Sequence, residues 1–173
     1  MIAGGEAVIA WIGLGSNLQD PHGQVNRALG ELDRLPGCRR LAASRLYLSP
    51  PLGPPGQPDY VNAVASLETR LPAEALLDAL QALEARHGRV RGERWGPRTL
   101  DLDLLLYGAQ VVWTPRLQLP HPGLGVRPFV LLPLAELAPT LEVPGLGRVD
   151  RLLARCGHGG VRPFASLHTS GVR

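Results

Sequence analysis

The chain contains no lysine: all 18 of its basic residues are arginine. That absence excludes a P-loop, whose GxxxxGK[ST] motif needs its lysine to reach the terminal phosphates. Phosphate chemistry in such a chain would rest on metal and on arginine, whose planar fork grips phosphate bidentately. A coding bias toward Arg, Leu, Pro, Ala and Gly is the main account of the missing lysine, so the arginine count alone proves little. Cysteine is scarce too, and Cys38 and Cys156 supply neither a metal-ligand spacing nor a disulfide framework. No apolar run reaches the length of a membrane span. The N-terminus lacks a basic region followed by an apolar stretch, so a cytoplasmic protein is expected. At 173 residues and 45% hydrophobic, residues 1–173 read as one domain with a real core.

Against this background one run stands out: Arg94-Trp95-Gly96-Pro97-Arg98-Thr99-Leu100-Asp101-Leu102-Asp103-Leu104-Leu105. Asp is depleted from strands and rarely buried without a partner. The stretch from Thr99 to Tyr107 has strand length and is closed by Gly108. On a strand, positions i and i+2 share a face about 6.6–6.8 Å apart, so Asp101 and Asp103 project together. Two carboxylates that close repel unless a cation sits between them. Mg²⁺ suits them, because it commonly takes one or two carboxylates together with substrate phosphates. Pairing of each aspartate with an arginine such as Arg94 or Arg98 explains the two residues equally well.

Hydrophobic periodicity organises the rest. Val8 to Gly13 reads as a buried strand. Asp20-Pro21 offers an N-cap and a first-position proline, and Val25, Ala28, Leu29 and Leu32 predict a helix running to about Leu35. Leu41 to Leu48 reads as a second strand. Ser49 to Pro58, with five prolines and two glycines, reads as a stiff surface loop. Alternation around Val61, Ala63 and Ala65 predicts a third strand. Pro72 and Glu74 open a second helix with Leu76, Leu80 and Leu83 as its stripe, closed at His87-Gly88. Gly88 to Pro97 is an arginine-dense loop leading into the aspartate strand. Gln110 to Trp113 reads as a short strand, and Arg127 to Leu137 as a helix interrupted near Pro133. The tail after Arg155, rich in Gly, His and Ser, is expected to be poorly packed. The order strand, helix, strand, strand, helix, strand is that of a ferredoxin-like βαββαβ α+β sandwich: an antiparallel sheet with helices on one face, plus extra C-terminal elements.

Several pieces together resemble the 6-hydroxymethyl-7,8-dihydropterin pyrophosphokinase family. They are Gly13-Leu14-Gly15-Ser16-Asn17, Pro50-Pro51-Leu52-Gly53, Gln57-Pro58-Asp59-Tyr60-Val61-Asn62-Ala63, Gly88-Arg89-Val90-Arg91, the run from Arg94 to Asp103, and Leu119-Pro120-His121-Pro122 with Arg127 and Phe129. The glycine motif alone is weak, since it lacks the third glycine of a dinucleotide fingerprint; the segment Arg94 to Asp103 is the most specific. The resemblance implies transfer of the β,γ-pyrophosphoryl group of ATP to the hydroxymethyl oxygen of a dihydropterin, with two Mg²⁺ ions. By the same resemblance Asp101 and Asp103 would hold the metal. Arg89, Arg98 and Arg127 would contact phosphates, with His121 beside them as a donor. Arg91 and Arg94 would act from the arginine loop, and Gln81, Glu84, Leu104 and Arg116 would lie near the nucleotide. Tyr60 and Phe129 would stack on the pterin and Asn62 would read its edge. Ser49, Pro50 and Leu52 would line the pocket, and Trp95 would cover it. A monomer that binds ATP and the pterin, but no nucleic acid and no membrane, is the implied state. The arginine loop is one residue shorter than the usual family form, and the tail after Arg155 carries no recognisable motif of the family.

Two other readings compete. An RNA-binding module of ferredoxin-like type suits the net charge of +3, but such modules present aromatics on the central strands, whereas the strand here presents two carboxylates. A metal-dependent nucleotidyl- or glycosyl-transferase would also use an Asp-x-Asp, but has no use for the set Tyr60, Asn62 and Phe129.

Overall fold

The computed structural model describes residues 5–51, 53, 55–88 and 99–164. Its elements are β1 (Val8–Ser16), α1 (Pro21–Leu32), β2 (Cys38–Ala43), β3 (Tyr47–Ser49), β4 (Tyr60–Thr69), α2 (Ala73–Arg86), β5 (Asp101–Tyr107), β6 (Val112–Trp113), β7 (Gln118–Leu119), a 3₁₀ turn (Leu124–Val126), α3 (Pro128–Leu137), β8 (Glu142–Val143), β9 (Gly147–Arg148), α4 (Val149–Cys156) and β10 (Arg162–Pro163). The main sheet is antiparallel in every pairing, in the order β10-β3-β4-β1-β5, with β2 also on β4. β6 with β7 and β8 with β9 form two small ribbons.

Both faces of the sheet are covered, which corrects the expectation of helices on one face. Ile12 and Leu14 of β1, Ala63 and Ala65 of β4, and Leu102 and Leu104 of β5 pack with the apolar stripes of α1 and α2. The alternate residues Val64 and Leu105 pack instead with Val130, Leu131 and Leu134 of α3 and Val149 and Leu152 of α4. A sheet covered on both sides explains why β1 reads as a nearly continuous apolar run.

Local chemistry sets the ends of the elements. The Asp20 carboxylate accepts the Gly23 N–H at 3.2 Å and caps α1. The helix stops at Leu32, short of the predicted Leu35, because Pro36 disfavours helical backbone at the residue before it. The predicted second strand is two pieces. Between them the Ser44 hydroxyl accepts the Val64 N–H at 3.0 Å, a side chain taking a ladder bond and breaking the strand. α3 continues through Pro133, carried by the burial of its neighbours Leu131 and Leu134. The tail is also corrected: α4 runs to Cys156, Val161 is buried, and β10 pairs with β3. Residues 165–173 lie outside the described residues.

Candidate active site

The pairing of β1 with β5 builds the centre. Asp101 lies opposite Gly15 and Asp103 opposite Gly13. Because Leu102 and Leu104 belong to the α1/α2 core, both carboxylates turn to the other face of the sheet, as the i, i+2 spacing predicts. The glycines keep that face open. A Cβ at Gly15 would stand 3.1 Å from Asn62 Nδ2 and 3.7 Å from Tyr60 Cδ1.

Asp101 and Asp103 stand between two concavities. The first is lined by Ser49, Pro50, Tyr60, Asn62 and Phe129, with Asp101, Asp103 and Arg127 at its edge. Asn62 is buried, and its Oδ1 accepts the Ser49 hydroxyl at 2.5 Å. That bond uses the amide oxygen and leaves the Nδ2 end to face the pocket as a donor. The Arg127 guanidinium lies 5.8 Å over the Phe129 ring, within reach of a cation–π contact. A Cβ at Gly123 would collide with that guanidinium.

The second concavity is lined by Gln81, Glu84, Leu104, Arg116 and His121, and it shares Asp101, Asp103 and Arg127 with the first. β5 is the last strand of the sheet, so its outer edge finds partners outside the ladder. The His121 N–H donates to the Leu105 carbonyl at 2.9 Å, fixing His121 beside the aspartates. Gly123 N–H donates to His121 Nδ1 at 3.1 Å, so the neutral ring carries its proton on Nε2. That nitrogen lies 3.9 Å from Asp103 Oδ1. Burial, then the positive Arg127, push the His121 pKa down to about 4, against an opposing pull from Asp101. The ring is therefore a neutral donor at physiological pH. Arg116 is held by α2: it donates to Glu74 at 3.3 Å, to Asp78, and to Gln81 at 3.5 Å.

Three residues do more than their motifs suggest. Glu84 is 5% exposed, and its Oε2 accepts the Leu102 N–H at 2.7 Å. It therefore holds the residue between the two aspartates. Ser16 donates to the Thr99 carbonyl at 2.5 Å, and Asn17 donates to Gln57 and to the Pro58 carbonyl, both at 3.2 Å. The Gly-Leu-Gly-Ser-Asn run is thus a clamp on the end of the first predicted loop and on a residue just past the second. The only sequence signal for the clamp is two polar residues ending an apolar strand. Arg89, Arg91, Arg94, Trp95, Arg98 and Leu52 lie outside the described residues.

Paired carboxylates and a guanidinium between two pockets, on an α+β scaffold with an antiparallel sheet, are the kind of arrangement that suits phosphoryl transfer. The description "7,8-dihydro-6-hydroxymethylpterin-pyrophosphokinase" belongs to the family whose profile matches residues 11–139, and the chain belongs to that family. It is similar to the 2-amino-4-hydroxy-6-hydroxymethyldihydropteridine pyrophosphokinase of Pseudomonas aeruginosa, 52% identical over 151 residues, covering 87% of this chain and 93% of the relative. The enzyme of the same description from Haemophilus influenzae is 49% identical over 146 residues, covering 84% and 91%. The family's reaction is pyrophosphoryl transfer to hydroxymethyldihydropterin in folate biosynthesis, with ATP as co-substrate. Among solved structures, Plasmodium falciparum HPPK-DHPS A437G with SDX-DHP matches with a TM-score of 0.68 at 12% identity, over 87% of this chain and 45% of that one. The triple mutant with STZ-DHP matches with a TM-score of 0.70 at 11% identity, over 87% and 43%. The chain thus spans less than half of those proteins, and the likeness is one of fold.

Proposed function

We propose that the pterin occupies the pocket of Tyr60, Asn62 and Phe129, that ATP occupies the groove of Gln81, Arg116 and His121, and that Asp101 and Asp103 hold two Mg²⁺ ions between them. The observation that carries this reading is that Asp101, Asp103 and Arg127 line both concavities. A transfer needs donor and acceptor brought together at one place, and a wall common to two pockets is such a place.

The donor set fits Mg²⁺. It consists of two carboxylates, hard oxygen donors on one strand face, and no group of three His, Cys, Asp or Glu suited to a metal occurs among the described residues. A two-carboxylate site completed by substrate phosphates is the usual arrangement for this ion. When bound, the metal would neutralise phosphate charge and lower the pKa of the attacking hydroxyl. The pterin hydroxymethyl oxygen forms its new bond to the β-phosphorus, the bond from that phosphorus to the α,β-bridging oxygen breaks, AMP leaves, and the hydroxyl proton is released. Arg127 holds phosphate charge and His121 donates through Nε2. Asn62 reads the pterin edge, with Tyr60 and Phe129 against its faces. Arg89, Arg91, Arg94, Arg98, Trp95 and Leu52 take the family roles set out above. The strand order β5-β1-β4, with β2 and β3 both pairing the far edge of β4, supports a ferredoxin-like core. A cytoplasmic monomer of one domain completes the reading; no helix among the described residues is long and apolar enough to cross a membrane.

The test is to mix the protein with Mg-ATP and 6-hydroxymethyl-7,8-dihydropterin and follow the nucleotide. AMP formed only with the pterin is the expected product. ADP, or no pterin-dependent product, overturns the proposal.

A further inference from the structure

Residues 157–164 lie beyond the 11–139 span of the family match, yet they touch the first pocket's wall at several places. β10 pairs with β3, Arg162 opposite Leu48 and Pro163 opposite Tyr47, the two residues that precede Ser49. Phe164 N–H donates to the Leu46 carbonyl at 2.9 Å. Arg162 bonds Asp59, the neighbour of Tyr60, at 3.3 Å. Val161 is 8% exposed and anchors the middle of the segment.

Two glycines make the closest approaches. Gly160, at φ +82°, lies against Pro50: a Cβ there would stand 3.1 Å from Pro50 Cγ. Gly159, at φ +56°, lies against Pro128, the residue before Phe129, and a Cβ there would stand 3.0 Å from Pro128 Cγ. Both sites favour glycine twice over, by backbone conformation and by the lack of room for a side chain. Gly157 supplies the contrast. It also has positive φ, +74°, but a Cβ there would meet nothing within 4 Å.

We propose that residues 157–164 are a positioning strap that sets the pterin-facing wall, by backing Ser49 and Pro50 on one side and the start of α3 with Phe129 on the other. None of these strap residues lines either concavity; the strap acts through the residues that do. Its specificity is therefore one-sided. The strap meets Tyr47, Leu48, Pro50, Asp59 and Pro128, on the side of the first pocket, and Gln81, Arg116 and His121 are not among these partners. This rests on the assignment of the pterin to the first pocket.

The experiment compares Gly160→Ala with Gly157→Ala. Both put a Cβ on a backbone that disfavours it, so both lower Tm; only Gly160→Ala pushes on Pro50. Gly160→Ala is expected to raise KM for the pterin about tenfold, as a small displacement of a binding wall does, with KM for ATP and kcat within about twofold of the parent. Gly157→Ala is expected to leave both KM values in place. Equal rises in both KM values, the same pterin effect from Gly157→Ala, or loss of Tm alone would each overturn the strap. Arg162→Ala, which removes only the Asp59 contact, is the milder second variant and should raise the pterin KM alone; no change there, should Gly160→Ala fail to fold, also overturns it. Amide hydrogen exchange at Tyr47–Ser49 separates this idea from the proposed activity. Faster exchange in Gly160→Ala but not in Gly157→Ala supports the strap even if the parent protein were to make no pterin-dependent AMP, and unchanged exchange counts against it whatever the activity.

Discussion

Replacing Glu84 separates two roles that one buried carboxylate could play, contacting the nucleotide or holding the strand that carries the aspartates. Its Oε2 accepts the Leu102 N–H at 2.7 Å, and the residue is 5% exposed. A hydrogen bond to a charged group contributes about 1.5–3 kcal/mol net, and an abandoned buried N–H costs about 1–3 kcal/mol. These figures overlap, because the second is largely the reason for the first, so Glu84→Ala should destabilise by about 2–3 kcal/mol. For a chain of this size each kcal/mol moves Tm by about 2–4 °C, which gives a fall of about 4–12 °C. Glu84→Gln keeps an acceptor oxygen in the same place and should recover more than half of the loss. Urea denaturation gives the stability and steady-state kinetics the partition. The strand-holding role predicts a large loss of stability, a lower kcat through misplaced aspartates, and rescue by Gln. An Ala variant as stable as the parent, with only its KM for ATP raised, would refute this reasoning and make Glu84 a nucleotide contact.

Further outcomes follow from the same geometry. Asp101→Ala and Asp103→Ala should each lower kcat by about 100-fold or more while the far-UV spectrum and the pterin affinity persist; turnover near the parent value in either would remove that carboxylate from the metal. Gly15→Ala places a Cβ 3.1 Å from Asn62 Nδ2 at a β position that tolerates alanine, so calorimetry should show pterin binding weakened about tenfold at a stability cost below about 1 kcal/mol. Equal weakening of ATP would refute it. His121 should give the ¹⁵N signature of the Nε2–H tautomer and stay neutral above about pH 5.5, since its pKa lies at about 4 against an ordinary 6.5. Its folded pKa is depressed, so the unfolded chain binds the proton first: stability is full above about 6.5 and is lost as pH falls toward about 4, by about 3 kcal/mol at most for such a shift. A His121→Gln variant should lack that part of the acid sensitivity in urea titrations from pH 7 to pH 4.

What was legible in the sequence was whatever depends on periodicity and motif. The placement of Asp101 and Asp103 on one face follows from a repeat of two, and the stripes of α1 and α2 follow from a repeat near 3.6. The pocket set Ser49, Tyr60, Asn62 and Phe129 followed from family resemblance, and the structure brings those residues together. What was not legible depends on contacts distant in sequence. Nothing local says that Ser44 takes the Val64 N–H and splits a strand, or that Glu84 bonds a backbone 18 residues away. The tail was misread for the same reason. Gly, His and Ser usually signal a solvated segment, but here Gly159 and Gly160 are what allow the chain to pass close to Pro128 and Pro50.

The position of the aspartates at the sheet's edge strand explains why one short segment can line two concavities. A central strand has both edges engaged in the ladder, and its side chains reach only the sheet's two faces. β5 has one ladder edge, on β1, and one outer edge. Through its face it shares the pocket of Asn62 and Phe129; along its outer edge it receives His121 at Leu105 and Glu84 at Leu102, which build the groove. Asp101 and Asp103 sit where the two meet. A strand with an exposed edge invites slippage and wrong pairing, and a one-residue slip would turn both carboxylates into the α1/α2 core. The fold guards against that slip with side-chain and loop bonds: Ser16 on Thr99 just upstream, Glu84 on Leu102, and His121 on Leu105. The two residues that guard the register from α2 and from the β7–3₁₀ connection are also groove-lining residues. In this site the same two residues, Glu84 by its side chain and His121 by its main chain, hold the aspartate strand in register and line the groove beside it, so substitution of Glu84 should disturb stability and catalysis together, while substitutions in the Asn62 pocket should disturb binding of one substrate alone.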